Sequence, residues 1–421
     1  MDPRKGVNMT SEWRESTIGA EVLLQRGFDI TRAEQRIGYV PVVSSGGISS
    51  YHDTAAAKGP GVVLGRKGVV GSVYFVKSDY WPHDTTLWVK DFKGNDPRFV
   101  YYFFKGRANQ LASLDVGSAN PTLNRNHVHP TKTLWPPLPE QKAIAHILGT
   151  LDDKIELNRK MNETFEAMAR AIFQSWFVDF DPVRAKMESR RPVGMDAKTA
   201  ELFPDSFVDS ELGKIPKGWT VVPCLNVFEL LSGGTPKTDE PSYWGGHILW
   251  ASAKDVSQCS DAFLLSTERR ITKAGLANST TKVMPALSTV VVARGATTGR
   301  HVMLARDTAM NQTCYALRCN QQHHNWLYCW FGETVEDLLQ AAHGSVFDTI
   351  TTTTFQKTRL LLPSTPVLAL FEARVGTLFS SILASLSRNR TLASIRDALL
   401  PKLLSGKLQI PDAERFIKER V

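Results

Sequence analysis

The hydrophobic pattern of this chain passes twice from short strand-like runs to long three-four spacing. "GVVLG", "GSVYFV" and "TTLWVK" lie between Gly61 and Lys90. "STVVVAR", "HVMLA" and "CYALR" lie between Ser288 and Arg318. All six are short, rich in β-branched or aromatic residues and bounded by Gly or Asp, which predicts strands. "DPRFVYYFFKGRANQLASL" and "NWLYCWFGETVEDLLQAAH" follow them and read as helices. After each strand-rich stretch comes a long segment with three-four spacing. The first, "LPEQKAIAHILGTLDDKIELNRKMNETFEAMARAIFQSWF", has Gly149 as its only glycine after Gln141. Its apolar seam is Leu148, Leu151, Ile155, Asn158, Asn162, Phe165, Ala169, Ile172 and Trp176. The second, "TPVLALFEARVGTLFSSILASLSRNRTLASIRDALLPKLL", has Val375, Leu378, Ile382, Ser385, Asn389, Leu392, Leu399 and Leu403. Arg396 interrupts this set, and Ile395 is the inward residue expected there. Pro139 and Pro366 suit helix starts, and Gly406 suits a C-terminal stop. A helix over the first segment is roughly 60 Å long at 1.5 Å per residue, longer than an ordinary domain needs.

The two segments belong to a repeat. Trp13 matches Trp219 and Gly27 matches Gly233. Further on, Arg66 matches Arg294, Gly71 matches Gly299 and Asp79 matches Asp307. Gly117, Thr122, Pro136 and Pro139 then match Gly344, Thr349, Pro363 and Pro366, and Ile155 and Asn162 match Ile382 and Asn389. The layout is globular, helical, globular, helical, with about two dozen extra residues early in the second globular copy. The order of elements points to an α+β chain, not a parallel βαβ array. One amphipathic helix most simply packs on its own domain. Two related helices after related modules favour mutual pairing, and a pseudo-two-fold relation makes that pairing antiparallel. Asn158, Asn162 and Asn389 at seam positions then fix register or sit at a solvated edge.

Composition narrows the partner class. A length of 421 residues fits two to four domains, and a net charge of +8 leans toward a polyanion. There is no run of 18 apolar residues, hence no expected membrane span, and no apolar leader follows Met1. Five cysteines in a chain of this size fit a reducing, cytoplasmic setting.

Catalytic signatures fail on spacing. "SGGTPKT" lacks the Walker pattern for ATP and reads as a turn. "ANPTL" departs from the adenine-methyltransferase motif at Thr122 and Leu123, and "DFDPV" is weaker still. No glycine-rich methyl-donor loop is visible. In "PDSFVDSELGK" the E-x-K spacing of a nuclease core is off by one residue. Cys314, Cys319, His323, His324 and Cys329 lack a C-x2-C knuckle. Cys314 and Cys319 also fall on opposite faces of a predicted strand, so no metal site is expected. What remains suits binding. Arg66, Lys67, Arg125, Arg294 and Arg300 offer phosphate or guanine contacts. Ser44, Ser45, Asn124, Asn126, His127, Lys237, Lys254 and Thr298 add short-range hydrogen bonds. Any one of these alone reads as loop decoration, but together they suit two modules on a spacer reading two half-sites.

"PPLPEQKAIAHILGTLDDKIELNRKMNETFEAMARAIFQSWFVDF", "IPKGWTVVPCLNVFELLSGGTPKT" and "LLPKLLSGKL" resemble the specificity subunit of type I restriction–modification systems. The likeness spans nearly the whole chain. It departs at "STPVLALFEARV", where a P-x-x-E-Q start is the family habit. The resemblance implies two target recognition domains, at 1–138 and 213–365, separated by two conserved helices that pair as an antiparallel coiled coil. The helical regions are then 139–192 and 366–410, with a linker at 193–212 and a tail at 411–421. It further implies a bipartite double-stranded DNA target, two methyltransferase subunits and two ATP-dependent restriction subunits. S-adenosylmethionine, ATP and Mg are then held by those partners, and this chain has no catalytic centre. The rival readings are a fused or stand-alone DNA methyltransferase, which predicts S-adenosylmethionine binding by the chain alone, and a coiled-coil scaffold, which predicts no sequence preference.

Overall fold

The computed structural model describes residues 13–114, 122–341 and 349–420. The Gly117–Gly344 correspondence, the N-terminal stretch after Met1 and most of "ANPTL" lie outside these residues. Contacts divide the chain into two units, Met1–Glu156 with Arg390–Val421 and Leu157–Asn389. Each holds one strand-rich module and part of each long helix.

In the first unit, four antiparallel strands run in the order Leu23–Arg26, Thr86–Asp91, Gly61–Gly65, Val73–Val76. A three-stranded sheet has Val40–Ser44 between Gly47–His52 and Trp81–Pro82. "GVVLG" is apolar on both faces because both faces are covered. Val62 and Leu64 meet the helix Pro97–Lys105, while Val63 meets Val43, Tyr80 and Trp88. The helix starts on Asp96, whose carboxylate accepts from the Phe99 N–H at 2.8 Å. It buries Phe99, Val100, Tyr102, Phe103 and Phe104.

The second unit repeats this plan. Phe228–Ser232, Cys314–Cys319, Thr289–Val292 and His301–Leu304 stand in the same order, with Phe263–Leu264 added at the edge. Arg14–Thr17 pairs antiparallel with Lys132–Trp135, as Thr220–Pro223 pairs with Arg359–Leu362. Gly27 and Gly233 recur for a steric reason. A Cβ at either would lie 2.1 Å from a carbonyl oxygen, of His83 and Asn311 respectively.

The backbone corrects one match. Lys67 bridges Thr122 as Arg294 bridges Thr349, and Leu123 N–H bonds Arg66 O as Ile350 N–H bonds Ala293 O. Arg294 therefore answers to Lys67, and Arg66 to Ala293. The turn that follows is one residue longer in the second copy, which restores the Gly71–Gly299 match.

Both long helices, Leu138–Phe177 and Thr365–Leu404, have 40 residues and start at equivalent positions. The central helix stops before Phe180, whose φ is +57°, and a separate helix covers Asp181–Met187. Gly406, with φ +68°, follows the end of the distal helix. Among the described residues, Thr365–Leu404 is long and apolar enough to cross a membrane. Phe371, Val375, Ile382, Leu392 and Leu399 on this helix are buried at the seam.

Within each unit the two helical segments run antiparallel. In the first, Leu148 and Leu151 share a core with Leu392, Ile395, Leu399 and Leu403. In the second, Asn158 donates to Asn389 at 2.7 Å, and Phe173, Trp176 and Phe177 surround Phe371. Ile155, Phe165, Ile172 and Leu378 are half-buried. Phe173 is buried deeper than Ile172, because a strict seven-residue repeat drifts about 20° per heptad on a straight helix. Asn162 and Ser385 are buried with unbonded polar atoms. Arg396 holds its seam position by pairing with Asp152 at 2.6 Å, while Ile395 is buried beside it.

Asp152 and its neighbour clamp the first module to its helix. Tyr102 donates to Asp152 at 2.7 Å, and Arg98 donates to Asp153 at 2.8 Å and to Gly149 O at 2.9 Å. This accounts for Gly149. A glycine inside a helix costs about 1 kcal/mol relative to alanine, but a Cβ there would lie 2.5 Å from the Arg98 guanidinium. Gln141 adds a buried tie by accepting from Asp96 N–H and donating to Asn95 and Pro136 O. The second unit docks differently. Leu368 stands where Gln141 stands in the first, and Phe379 answers to Asp152 and meets Phe263 and Tyr328. The departure at "STPVLALFEARV" thus moves the polar tie by one turn, to Glu372, which accepts from Trp326 N–H at 2.8 Å and from Asn325 Nδ2 at 2.7 Å.

Burial opposes the charge on Asp152, but the Arg396 and Tyr102 hydrogen bonds outweigh it and hold its pKa below the ordinary value. A lowered native pKa stabilises the fold above the unfolded value, near 3.9, and that contribution is lost as pH falls through the native one. Asp152→Asn should therefore cost about 2 kcal/mol at neutral pH. Hydrogen exchange across residues 97–105 reads this directly. The gap from wild type should close in acid, and equal exchange at neutral pH would refute the clamp.

Candidate nucleic-acid interface

Three loops of the first module converge on Thr85. Its carbonyl accepts from Arg66 N–H at 2.8 Å and from Lys67 N–H at 3.1 Å. Its hydroxyl accepts from Ser45 N–H at 3.3 Å. Ser45 O accepts from Ser72 Oγ and Tyr74 OH, tying the 44–47 turn to the 65–72 turn. Gly68 and Gly71, with φ of +80° and +82°, shape that second turn. Beside it, Asn124 Oδ1 accepts from Asn126 N–H and caps the short helix Arg125–Val128.

The second module builds the same corner on Thr313, whose carbonyl accepts from Ala293 N–H at 2.8 Å. Gly295 and Gly299 have φ of +100° and +90°, and Thr298 Oγ1 donates to Gly295 O at 2.7 Å. Ser257 and Thr297 hydroxyls meet at 2.6 Å. Thr351 stands where Asn124 stands and caps Thr352–Lys357 through a capping box.

The residues singled out from the sequence fall into two groups. Lys67, Asn124, Arg125, Asn126, His127, Lys237, Lys254, Arg294 and Arg300 are exposed. Ser44, Thr298 and Arg66 are half-buried, and Ser45 is buried. Ser45 serves the framework through its backbone. Arg66 has a buried Nη1 without a partner. Burial first, then Arg26, lowers its pKa against the pull of Asp84. Lys254 is paired with Glu268 at 2.7 Å, and the Lys237 carbonyl accepts from Trp244 Nε1 at 3.0 Å. His129 carries no motif signal in the sequence, yet its Nε2 accepts from Leu24 N–H at 3.0 Å. Burial, with Arg125 and Lys93 nearby, lowers its pKa. Arg269, equally unmarked in the sequence, stacks 3.4 Å over Trp244. The central helix also carries an exposed apolar stripe of Leu157, Met161 and Met168, off the seam.

Cys314 and Cys319 lie in separate cores. Burial raises the Cys224 and Cys314 thiols to about 12, so they behave as small apolar side chains. Among the described residues, no three His, Cys, Asp or Glu side chains group to hold a metal.

The profile of the type I restriction–modification DNA specificity domain matches residues 11–167 and again residues 216–367. The chain belongs to that family. Each module carries one copy of the family domain, so this is a DNA sequence-specificity subunit with two recognition domains. It is similar to the Type I restriction enzyme HindI specificity subunit of Haemophilus influenzae, 28% identical over 312 residues, covering 64% of this chain and 67% of that one. The MjaIX specificity subunit of Methanocaldococcus jannaschii is 24% identical, covering 75% of this chain and 69% of that one. The fold matches the crystal structure of a type I S subunit from M. genitalium with a TM-score of 0.61 at 15% identity. That match covers 96% of this chain and 99% of the other.

Proposed function

We propose that the chain reads a bipartite duplex, one half per module, without a catalytic centre of its own. It carries that reading to two methyltransferase and two ATP-dependent restriction subunits in the cytoplasm. S-adenosylmethionine, ATP and Mg belong to those partners. The observation that carries this reading is the paired corner, Lys67 against Thr122 and Arg294 against Thr349. The same exposed basic turn stands in the same place in two modules whose turns differ in length. The stripe Leu157, Met161 and Met168 is the docking face for a methyltransferase subunit, since apolar side chains spaced along one helix face suit a partner helix.

Co-expression with the methyltransferase tests both parts. The complex should form, bind duplex DNA and weaken steeply with salt as counterions are released. Met161→Lys with Met168→Lys should abolish co-purification. Binding that ignores salt would contradict the electrostatic part of this reading, and S-adenosylmethionine bound by this chain alone would favour the enzyme reading.

A further inference from the structure

Whatever half-sites the two modules read, their targets share one thing, the phosphate backbone. A contact to it keeps its charge and place in both modules, while base contacts differ. Three positions on the matched strands and turns carry a cation in both: Lys67 and Arg294, Lys90 and Arg318, Lys132 and Arg359. Arg318 lies 3.7 Å from Glu229, and Arg359 lies 3.7 Å from Glu211. Their charges are partly answered within the protein. Lys67 and Arg294 are exposed and form no ion pair among the described residues.

Backbone geometry fixes both. Each bridges a threonine on the neighbouring segment, and each is followed by a glycine of positive φ, Gly68 or Gly295. The residues beyond differ: Val69 and Val70 in one turn, Ala296, Thr297 and Thr298 in the other. We infer that Lys67 and Arg294 are a matched pair of phosphate anchors that set each module's register on the duplex, and that the unequal turns after them face the bases. This rests on the functional reading above and divides its residues into two roles.

The test uses the assembled complex with methyltransferase subunits. One duplex carries the motif methylated in cells, and the other carries the same bases shuffled. Lys67→Ala and Arg294→Ala should each weaken both duplexes by the same factor, about three- to tenfold. Each should make the log–log salt slope shallower by about one. The methylated motif should not change, and Lys67→Arg and Arg294→Lys should keep both affinity and slope. An unchanged slope, or a motif relaxed at one base pair, would overturn the anchor assignment. A wild-type complex that bound both duplexes equally would overturn the specificity reading beneath it.

Discussion

Exchanging residues 10–138 for the module of another family member should replace one half of the methylated motif and leave the other half intact. The effect is all-or-none at several base pairs, because a whole set of reading turns changes at once. Independence follows from the packing. The first module builds its cores from its own strands, Pro97–Lys105 and the helical segments of its own unit. The second has separate cores around Phe228, Phe331 and Val290. A donor module must bring groups able to bond Gln141, Asp152 and Asp153, as Asn95, Tyr102 and Arg98 do here. A mismatch there would cost folding, which thermal unfolding separates from a change of motif. If both halves of the motif changed in a well-folded chimera, the modules would not be independent readers.

Seven residues inserted after Glu156 and seven after Asn389 should lengthen the unread gap by about three base pairs. Placed there, the insertions keep the Asp152–Arg396 pair in one unit and the Asn158–Asn389 bond in the other. One heptad returns the seam to nearly the same face, with a drift of about 20°. It adds about 10 Å at 1.5 Å per residue, and a turn of B-DNA is about 34 Å. Each module then meets a rotated stretch of groove, so some affinity should be lost while both half-site sequences persist. Single-molecule methylation mapping reads the gap. An unchanged gap in a folded, active complex would show that the helices do not measure it.

Much of the plan is legible in the letters, because period and turn residues carry it. "GVVLG" and "CYALR" show their strands, and three-four spacing marks both long helices. Long-range partners leave no such mark. Nothing near Gly149 in the chain points to Arg98, so the glycine looks like a flaw until the two are brought together. "GRKG" and "ARGATTG" align by letter through Arg66, whereas backbone pairing selects Lys67. One residue of slip moves a charge from a half-buried site to an exposed turn. Nothing near Asp152 in the chain points to Tyr102 or Arg396, which only the fold brings to it. In the candidate interface, basic and amide loops were visible as composition. The framework roles of Ser45 and Arg66 were not, since both depend on Thr85, Ser72 and Asp84.

This one chain is proposed to specify a bipartite target. Methylation mapping of genomes with and without its gene tests it most directly. One methylated motif made of two short defined halves around an undefined gap should be present with the gene and gone without it. A motif that survives deletion, or one that is continuous with no gap, would contradict it.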